Sequence, residues 1–145
     1  MSPIPARILK FISEHHVLTL AVTTENGPWC ATCFYVWHPG QNRFIFTSDP
    51  RTRHIREVEK NNKYYVSGAI ALETKMVGMI RGIQFSGILI NLKGEELKSA
   101  KQAYLSTFPI ARFSRLHLWG LTPDFIKMTD NRLGFGKKLI WKDGN

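Results

Sequence analysis

The segment from Thr47 to His54 concentrates side chains that could hold a phosphate group. Its hydroxyl, guanidinium and imidazole groups come from Thr47, Ser48, Thr52, Arg53 and His54. The Ser-Asp-Pro run within it predicts the start of a helix. A helix N-terminus presents free backbone N–H groups and the positive end of the helix dipole. Together these groups predict a phosphate-binding site. An ordinary helix start among solvated basic residues is the alternative, and Asp49, an anion at the same place, favours it.

Cys30 and Cys33 have the spacing of a redox or metal-binding pair. They fall inside a predicted strand, where residues three apart face opposite sides of the sheet. Thiols placed so cannot form a disulfide, and the sequence has no second cysteine pair to complete a zinc site. We therefore predict two buried, inert thiols.

The other chemistry-bearing residues form no recognised catalytic motif. The five histidines lack metal-ligand spacing, and the eleven carboxylates are scattered along the chain. Neither a Gly-x-Ser-x-Gly nor a His-Glu-x-x-His motif occurs. The sequence therefore isolates no catalytic acid, base or metal site.

The net charge of +9, from 20 Lys and Arg against 11 Asp and Glu, suggests an anionic partner. Small barrels with aromatic surfaces bind single-stranded nucleic acids, so this class of partner has to be considered. Here the aromatic residues lie within apolar runs typical of a core, and the basic residues are dispersed. A nucleic-acid partner is the less favoured interpretation.

The elements that position these residues form a predicted mainly β, α+β chain. Alternating apolar residues and turn signals predict strands over 17–24, 29–37, 43–47, 63–72, 75–92 and 119–129, the fifth being one bent strand or two short ones. Glycines at 78, 82 and 87 and Pro123 predict bulges or bends. Helices are predicted from Pro5, from Ser48-Asp49-Pro50, and over 95–107. Six antiparallel strands with helices inserted between them favour a small barrel.

The 145 residues predict one domain, 1–145. An apolar content of 43% supports a core, while no apolar stretch approaches the roughly 20 residues that span a bilayer. The first residues lack the apolar stretch of a signal peptide, so a cytoplasmic location is expected.

Three motifs resemble a known family. They are Thr52-Arg53-His54, then Ile80-Arg81-Gly82-Ile83-Gln84-Phe85 followed by Gly87, and the long block from Thr129 to Trp141. Over nearly its whole length the chain resembles the FMN-binding split-barrel proteins related to pyridoxamine 5′-phosphate oxidase. It is most similar to a small uncharacterised bacterial family of nearly the same length.

The resemblance implies a six-stranded antiparallel split barrel and a homodimer with FMN in clefts at the interface. Thr47 and Ser48 match a phosphate-binding pair of the oxidases, while Thr52, Arg53 and His54 match a Ser-Arg-Lys run, with protonated His54 replacing the lysine. The further candidate ligands of FMN are Thr32, Phe34, Gln84, Trp119 and Lys137. Phe34, Tyr35 and Trp119 are equally consistent with a barrel core.

The chain also departs from the oxidases. Thr32 and Trp37 stand where they carry Arg and Lys, and their Arg-Leu-His-x-Arg signature is absent, so pyridoxamine phosphate oxidation is not expected. Gln84 lies two residues from the position of an oxidase glutamine, on the same strand face. A flavin-dependent oxidoreductase of unknown substrate is the leading hypothesis. A non-catalytic carrier or sensor of flavin or another phosphorylated ligand is the first alternative, and a nucleic-acid-binding barrel the second.

Overall fold

Seven antiparallel strands and three α-helices make up the computed structural model, which describes residues 2–144. The strands are β1 (Val17–Thr24), β2 (Gly27–His38), β3 (Arg43–Thr47), β4 (Tyr65–Ala71), β5 (Arg81–Asn91), β6 (Leu118–Asp130) and β7 (Lys138–Lys142). The helices are α1 (Ala6–Glu14), α2 (Arg53–Asn61) and α3 (Gly94–Thr107). Short 3₁₀ turns cover Val77–Met79, Pro109–Phe113 and Asn131–Leu133.

The strand pairings close into a ring. The sheet order is β3-β2-β1-β4-β5-β6-β7, and β3 pairs with β6 as well as with β2. Phe44 lies opposite Leu121, and Thr47 lies opposite Leu118, in this closing ladder. Six strands therefore form the ring, and β7 extends it as a seventh strand on β6. The mainly β, antiparallel prediction is confirmed, but its count of six strands is wrong.

The missing strand comes from the basic tail. Between Lys138 and Lys142 the side chains alternate in exposure, and the strand pairs with residues 125–129 of β6. Trp141 is buried, and its indole N–H donates to the Ser2 carbonyl oxygen at 3.0 Å. Lysines at both ends and a length of five residues hid this strand in the sequence.

The main core fills the inside of the ring. Leu18, Leu20 and Val22 of β1 point inward, as their alternation predicts. The Phe44 and Phe85 rings stack at its centre with 4.4 Å between centroids. Apolar residues of α1 and α2 join this core, whereas α3 packs Ala100 and Tyr104 into a smaller cluster against β2, β3 and β6.

The glycine-rich fifth strand contains the predicted bulge. The register between β5 and β6 shifts at Ser86/Gly87, so that Asp124 is the extra residue on β6 between Pro123 and Phe125. A Cβ atom at Gly87 would collide with the Thr122 carbonyl oxygen. Glycine is therefore required for the two strands to approach closely here.

Two helices begin later than predicted. Pro5 is the N-cap of α1 rather than its first residue, and α2 begins at Arg53. Residues 49–52 instead form a turn, in which the Thr52 N–H donates to the Asp49 carbonyl oxygen at 3.0 Å. The Ser-Asp-Pro signal marks this turn and not the helix itself. Among residues 2–144, no helix combines the length and the apolar character needed to cross a membrane.

Candidate functional site

The end of β3 and the start of α2 are joined by a buried polar contact. The Ser48 hydroxyl and the His54 Nε2 atom lie 2.6 Å apart, and both side chains are buried. The Trp119 indole N–H donates to the Ser48 carbonyl oxygen at 3.2 Å. Thr47 accepts a hydrogen bond from the His117 N–H at 3.1 Å through its hydroxyl oxygen. The structure thus brings together Thr47, Ser48, Thr52, Arg53, His54 and Trp119 at one end of the ring.

His54 occupies this site as a buried group. Burial lowers the pKa of its imidazole below the ordinary value of 6.5, since desolvation disfavours the charged form. The neighbouring Cys33 thiol is also buried, and desolvation raises its pKa to about 11 against an opposing hydrogen bond with Ser48. The arrangement therefore favours neutral His54, which opposes the expectation of a protonated phosphate ligand there.

Asp49 does not cap α2. Its carboxylate accepts two hydrogen bonds from the Arg51 guanidinium, at 3.0 and 2.7 Å, and one from the Arg51 N–H. These bonds hold the Asp49 pKa well below its usual range, so that the side chain stays ionised beside its own cation. Asp49 therefore opposes an anion at the helix start less than the sequence suggests.

The first turn of α2 has no side-chain cap. Thr52 is the N-cap residue, but its hydroxyl donates to the Asp49 carbonyl oxygen at 2.7 Å instead of accepting from the helix. The leading N–H groups of a helix have no partner within the helix. This end of α2 therefore keeps backbone donors available beside Arg53.

Arg53 is exposed and lies against an aromatic ring. Its guanidinium carbon is 3.8 Å from the ring centroid of Trp29, which is itself 40% exposed. The stacked arrangement holds a cation at the helix start while leaving guanidinium edges free to bond an anion. The sequence reasoning missed Trp29. It lies on the inward-facing side of β2, whereas the next residue, Cys30, faces outward.

Two other predicted residues share the outward-facing side of the sheet. The register runs across five strands from Thr32 to Thr19, Ala69, Gln84 and Lys127. Thr32 and Gln84 are both exposed. Next to this row a largely apolar cavity of about 390 Å³ is lined by Thr19, Ala21, Cys30, Ser67, Gln84 and Phe125, among others. The face is open in the single chain.

The aromatic candidates divide between surface and core. Phe34 is 61% exposed, and its ring meets the Phe108 ring edge to face at 5.9 Å between centroids. Tyr35 is buried, and its hydroxyl donates to the Ile12 carbonyl oxygen at 2.6 Å. Trp119 is 3% exposed. Tyr35 and Trp119 are thus core residues, whereas Phe34 is accessible to a ligand.

Lys137 lies apart from the start of α2. It is exposed in the loop before β7, and its carbonyl oxygen accepts a bond from the Asp130 N–H at 3.0 Å. That position is at the far end of β6 from Leu118 and the phosphate-type site. The structure of one chain therefore does not unite Lys137 with Arg53.

The cysteines face opposite sides of β2, as predicted. Cys33 is buried and Cys30 is exposed, and both are free thiols. The prediction of two buried thiols is wrong for Cys30, because the outward face of β2 at this point has no covering element.

Sequence reasoning missed a polar cluster formed by the bulge. The extra residue Asp124 accepts hydrogen bonds from the Ser86 hydroxyl at 2.7 Å and from the Tyr65 hydroxyl at 2.9 Å. Gly87 and Pro123 signalled the irregularity. The shift in register that brings the three side chains together could not be read from the sequence.

Comparison of the sequence with known proteins shows close relatives. No family model matches the chain. It is 41% identical to a UPF0306 protein of Klebsiella pneumoniae over 94% of this chain and 92% of that one. It is 38% identical to the UPF0306 protein YhbP of Escherichia coli O157:H7, over 95% and 92% of the two chains.

Comparison with solved structures shows the same fold in more distant proteins. A heme-binding protein from Mycobacterium smegmatis has a TM-score of 0.77 at 19% identity; the match covers 97% of this chain but 60% of that one. A FAD-binding protein from Mesorhizobium loti has a TM-score of 0.68 at 13% identity, over 86% and 92% of the chains. At these identities the match shows the fold alone, whereas the sequence matches place the chain in the UPF0306 family.

Proposed function

We propose that this protein is an FMN-binding split-barrel protein that acts as a flavin-dependent oxidoreductase. The observation that carries the proposal is the uncapped start of α2 beside Arg53, whose guanidinium is stacked on Trp29 at 3.8 Å. Free N–H groups, a helix dipole and a positioned guanidinium are what a phosphate monoester requires. A FAD-binding protein and a heme-binding protein share this fold, which supports a cofactor-binding role.

In this proposal the phosphate of FMN is held by the first N–H groups of α2, the Arg53 guanidinium and the hydroxyl of Thr47. Ser48 and neutral His54 hold the end of β3 against α2 and so fix the position of the donors. Bound flavin would supply the redox chemistry, while the chain supplies orientation and charge.

A homodimer completes the site. Thr32, Phe34 and Gln84 are exposed on the open sheet face, whereas Arg53 lies at the start of α2 and stacks on Trp29. The open face carries exposed Val17, Phe34, Tyr65 and Ile88, an apolar composition that favours burial by a second copy. A ligand as long as FMN would then lie between two protomers.

Binding of FMN tests the proposal. Titration of the purified protein with FMN, followed by flavin fluorescence, should show saturable binding. We expect Arg53→Ala to weaken it about ten- to a hundredfold, since a hydrogen bond to a charged group contributes about 1.5–3 kcal/mol. Arg56→Ala, which removes the same charge from an exposed position of the same helix, is the control.

Several outcomes contradict parts of the proposal. A protein that does not take up FMN at all contradicts the flavin function. Equal affinity in both variants places the phosphate elsewhere. If neither NADH nor NADPH reduces the bound FMN under anaerobic conditions, the alternative of a non-catalytic carrier or sensor is favoured.

Heme is the second candidate cofactor, favoured by the surroundings of His16. This exposed histidine lies 6.2 Å from the Phe108 ring, which also contacts Phe34, so an imidazole stands beside two aromatic rings at the edge of the open face. An imidazole is a common axial ligand of heme iron. A Soret band on addition of hemin that His16→Ala abolishes, with no FMN uptake, would favour heme over flavin.

A further inference from the structure

A second cavity lies at the other end of the ring, between α1, the start of β5 and the end of β6. Its volume is about 370 Å³. It is lined by Arg7, Lys10, Phe11, Glu14, Arg81, Met128, Arg132 and Leu133. Four of these residues are cations and one is an anion, while Phe11, Met128 and Leu133 give it apolar walls. The cavity thus combines positive charge with room for an apolar group.

One of the four cations is already neutralised. Arg132 donates two hydrogen bonds to the carboxylate of buried Asp130, at 3.0 and 2.9 Å. Arg7 makes a longer contact with the same carboxylate, at 3.5 Å, and its side chain is about half exposed. Counting Asp130 with the lining residues, four positive groups face two negative ones. The cavity therefore has a surplus of positive charge.

Arg81 is the lining cation with a buried, unsatisfied donor. Its Nε atom is buried and has no hydrogen-bond partner. Within residues 2–144, no carboxylate lies within 4.0 Å of its guanidinium, although its charge does help lower the Asp130 pKa. Its guanidinium carbon stands 5.9 Å from the centroid of the Phe11 ring. A half-buried guanidinium without these bonds carries a desolvation cost that a bound anion would offset.

The cavity also involves residues of two sequence motifs that the flavin proposal leaves without a role. Arg81 begins the Arg-Gly-Ile-Gln-Phe run, while Asp130, Asn131 and Leu133 belong to the long C-terminal block. The backbone N–H of Asn131 donates to the Ile80 carbonyl oxygen at 3.0 Å. The side-chain amide of Asn131 donates to the Val77 carbonyl oxygen at 2.9 Å. These bonds hold the two motifs together next to Arg81 and Arg132, which line the cavity.

The cavity is separate from the helix start of α2. Leu118, at one end of β6, pairs with Thr47, and Asp130, at the other end, pairs with Arg81. Twelve residues of extended strand span roughly 35–40 Å. In one chain the two anion-attracting regions are therefore distinct.

We infer that this cavity binds a small organic oxyanion, a carboxylate or a phosphate carried by an apolar body. The oxyanion pairs with the Arg81 guanidinium, which supplies planar, bidentate donors. Lys10 and Arg7 add charge from α1. The apolar body packs against Phe11, Met128 and Leu133.

Binding of three related probes tests the inference. Isothermal titration and amide chemical-shift mapping would be carried out with benzoate, phenyl phosphate and the neutral isostere benzamide. We expect at least one anion to bind and to shift amides of Arg81, Met128 and Arg132, and we expect benzamide to bind at least tenfold more weakly. The anion that binds more tightly distinguishes a carboxylate ligand from a phosphate.

Arg81→Gln should weaken binding of that anion at least tenfold. Circular dichroism should show that this variant is folded, because the buried Nε atom that it removes has no hydrogen-bond partner to lose. Lys98→Gln removes one exposed cation from α3, outside the cavity, and should leave the affinity unchanged. Binding of FMN should be the same in both variants, which separates this inference from the flavin proposal.

The inference would be overturned by no binding of either anion, by equal binding of benzamide, or by equal anion affinity in the parent and Arg81→Gln proteins. Amide shifts confined to the start of α2 would also overturn it, because they would place the anion at the other site.

Discussion

The contact between the Ser48 hydroxyl and the His54 imidazole determines what the start of α2 can do. The two side chains satisfy each other at 2.6 Å inside the protein, so neither is a free donor toward solvent. Arg53, one residue before His54, is exposed instead. Buried His54 therefore anchors the start of the helix, whereas the guanidinium of Arg53 remains accessible there.

The buried imidazole makes stability depend on pH. Because burial lowers the pKa of folded His54 below 6.5, the unfolded chain takes up a proton first as pH falls, which favours unfolding. We expect the free energy of unfolding, measured with urea, to fall between pH 7 and pH 5. The pKa values of the Asp49 and Asp130 carboxyls are lowered in the folded chain. Their protonation therefore reduces the free energy of unfolding only below about pH 3.8, outside this window.

His54→Gln keeps a hydrogen-bonding side chain but cannot titrate, so it should lose most of this pH dependence. His16→Gln changes an exposed histidine and should retain it. The same slope in parent and His54→Gln proteins would mean that another group is responsible.

At this scale the sequence was a partial guide. Hydroxyl and cationic residues before a helix identified the segment from Thr47 to His54 correctly as a cluster. The sequence could not show that His54 turns inward and Arg53 outward, because α2 begins three residues later than its Pro50 signal suggested. Trp29 and Arg81 were not recognised as site residues, since each owes its role to contacts made across the fold.

Strands β5 and β6 position Gln84 and the polar cluster around Asp124. They form the longest pairing in the structure, interrupted by one bulge at Gly87. Before the bulge, Gln84 lies on the open face opposite Lys127. At the bulge, the Asp124 carboxylate accepts hydrogen bonds from the Ser86 and Tyr65 hydroxyls. Alternation and glycines predicted the strands and the irregularity, while the partner register came only from the fold. The bulge therefore determines which polar side chains lie together on the open face.

Gly87→Ala tests how strongly this geometry depends on glycine. The added methyl group would collide with the Thr122 carbonyl oxygen, a backbone atom that cannot rotate away. We expect a loss of about 1–3 kcal/mol in the free energy of unfolding. Gly78→Ala is the matched control, since nothing lies within 4 Å of the added atom. Equal stability of the two variants in urea titrations would show that the strands can separate at the bulge.

Across the whole molecule, the net charge of +9 is dispersed with two local concentrations. One is the start of α2, where Arg53, stacked on Trp29, follows the Asp49–Arg51 ion pair in the chain. The other is the cavity around Arg81 at the far end of β6. The sequence indicated an anionic partner and the first of these places. The second depends on the closing of the ring, which brings α1, β5 and β6 together from distant parts of the chain.

The open sheet face leads to a prediction about assembly. Ala69 lies at its centre, between Thr19 of β1 and Gln84 of β5. If a second copy covers this face, Ala69→Glu would bury a carboxylate without a partner, at a cost that a protein interface does not tolerate. We expect the parent protein to elute in size exclusion with light scattering at twice the chain mass of 16.6 kDa, and the variant at the chain mass itself.

The same variant links assembly to cofactor binding. Because Arg53 of one protomer and Gln84 of the other would meet around one FMN, a folded monomeric Ala69→Glu should lose FMN binding although both residues are intact. Lys63→Glu introduces the same side chain at an exposed position just before β4 and should remain dimeric. Circular dichroism would establish that both variants are folded. A monomeric parent protein that still binds FMN would show that one chain holds the cofactor alone, and the shared cleft would then be wrong.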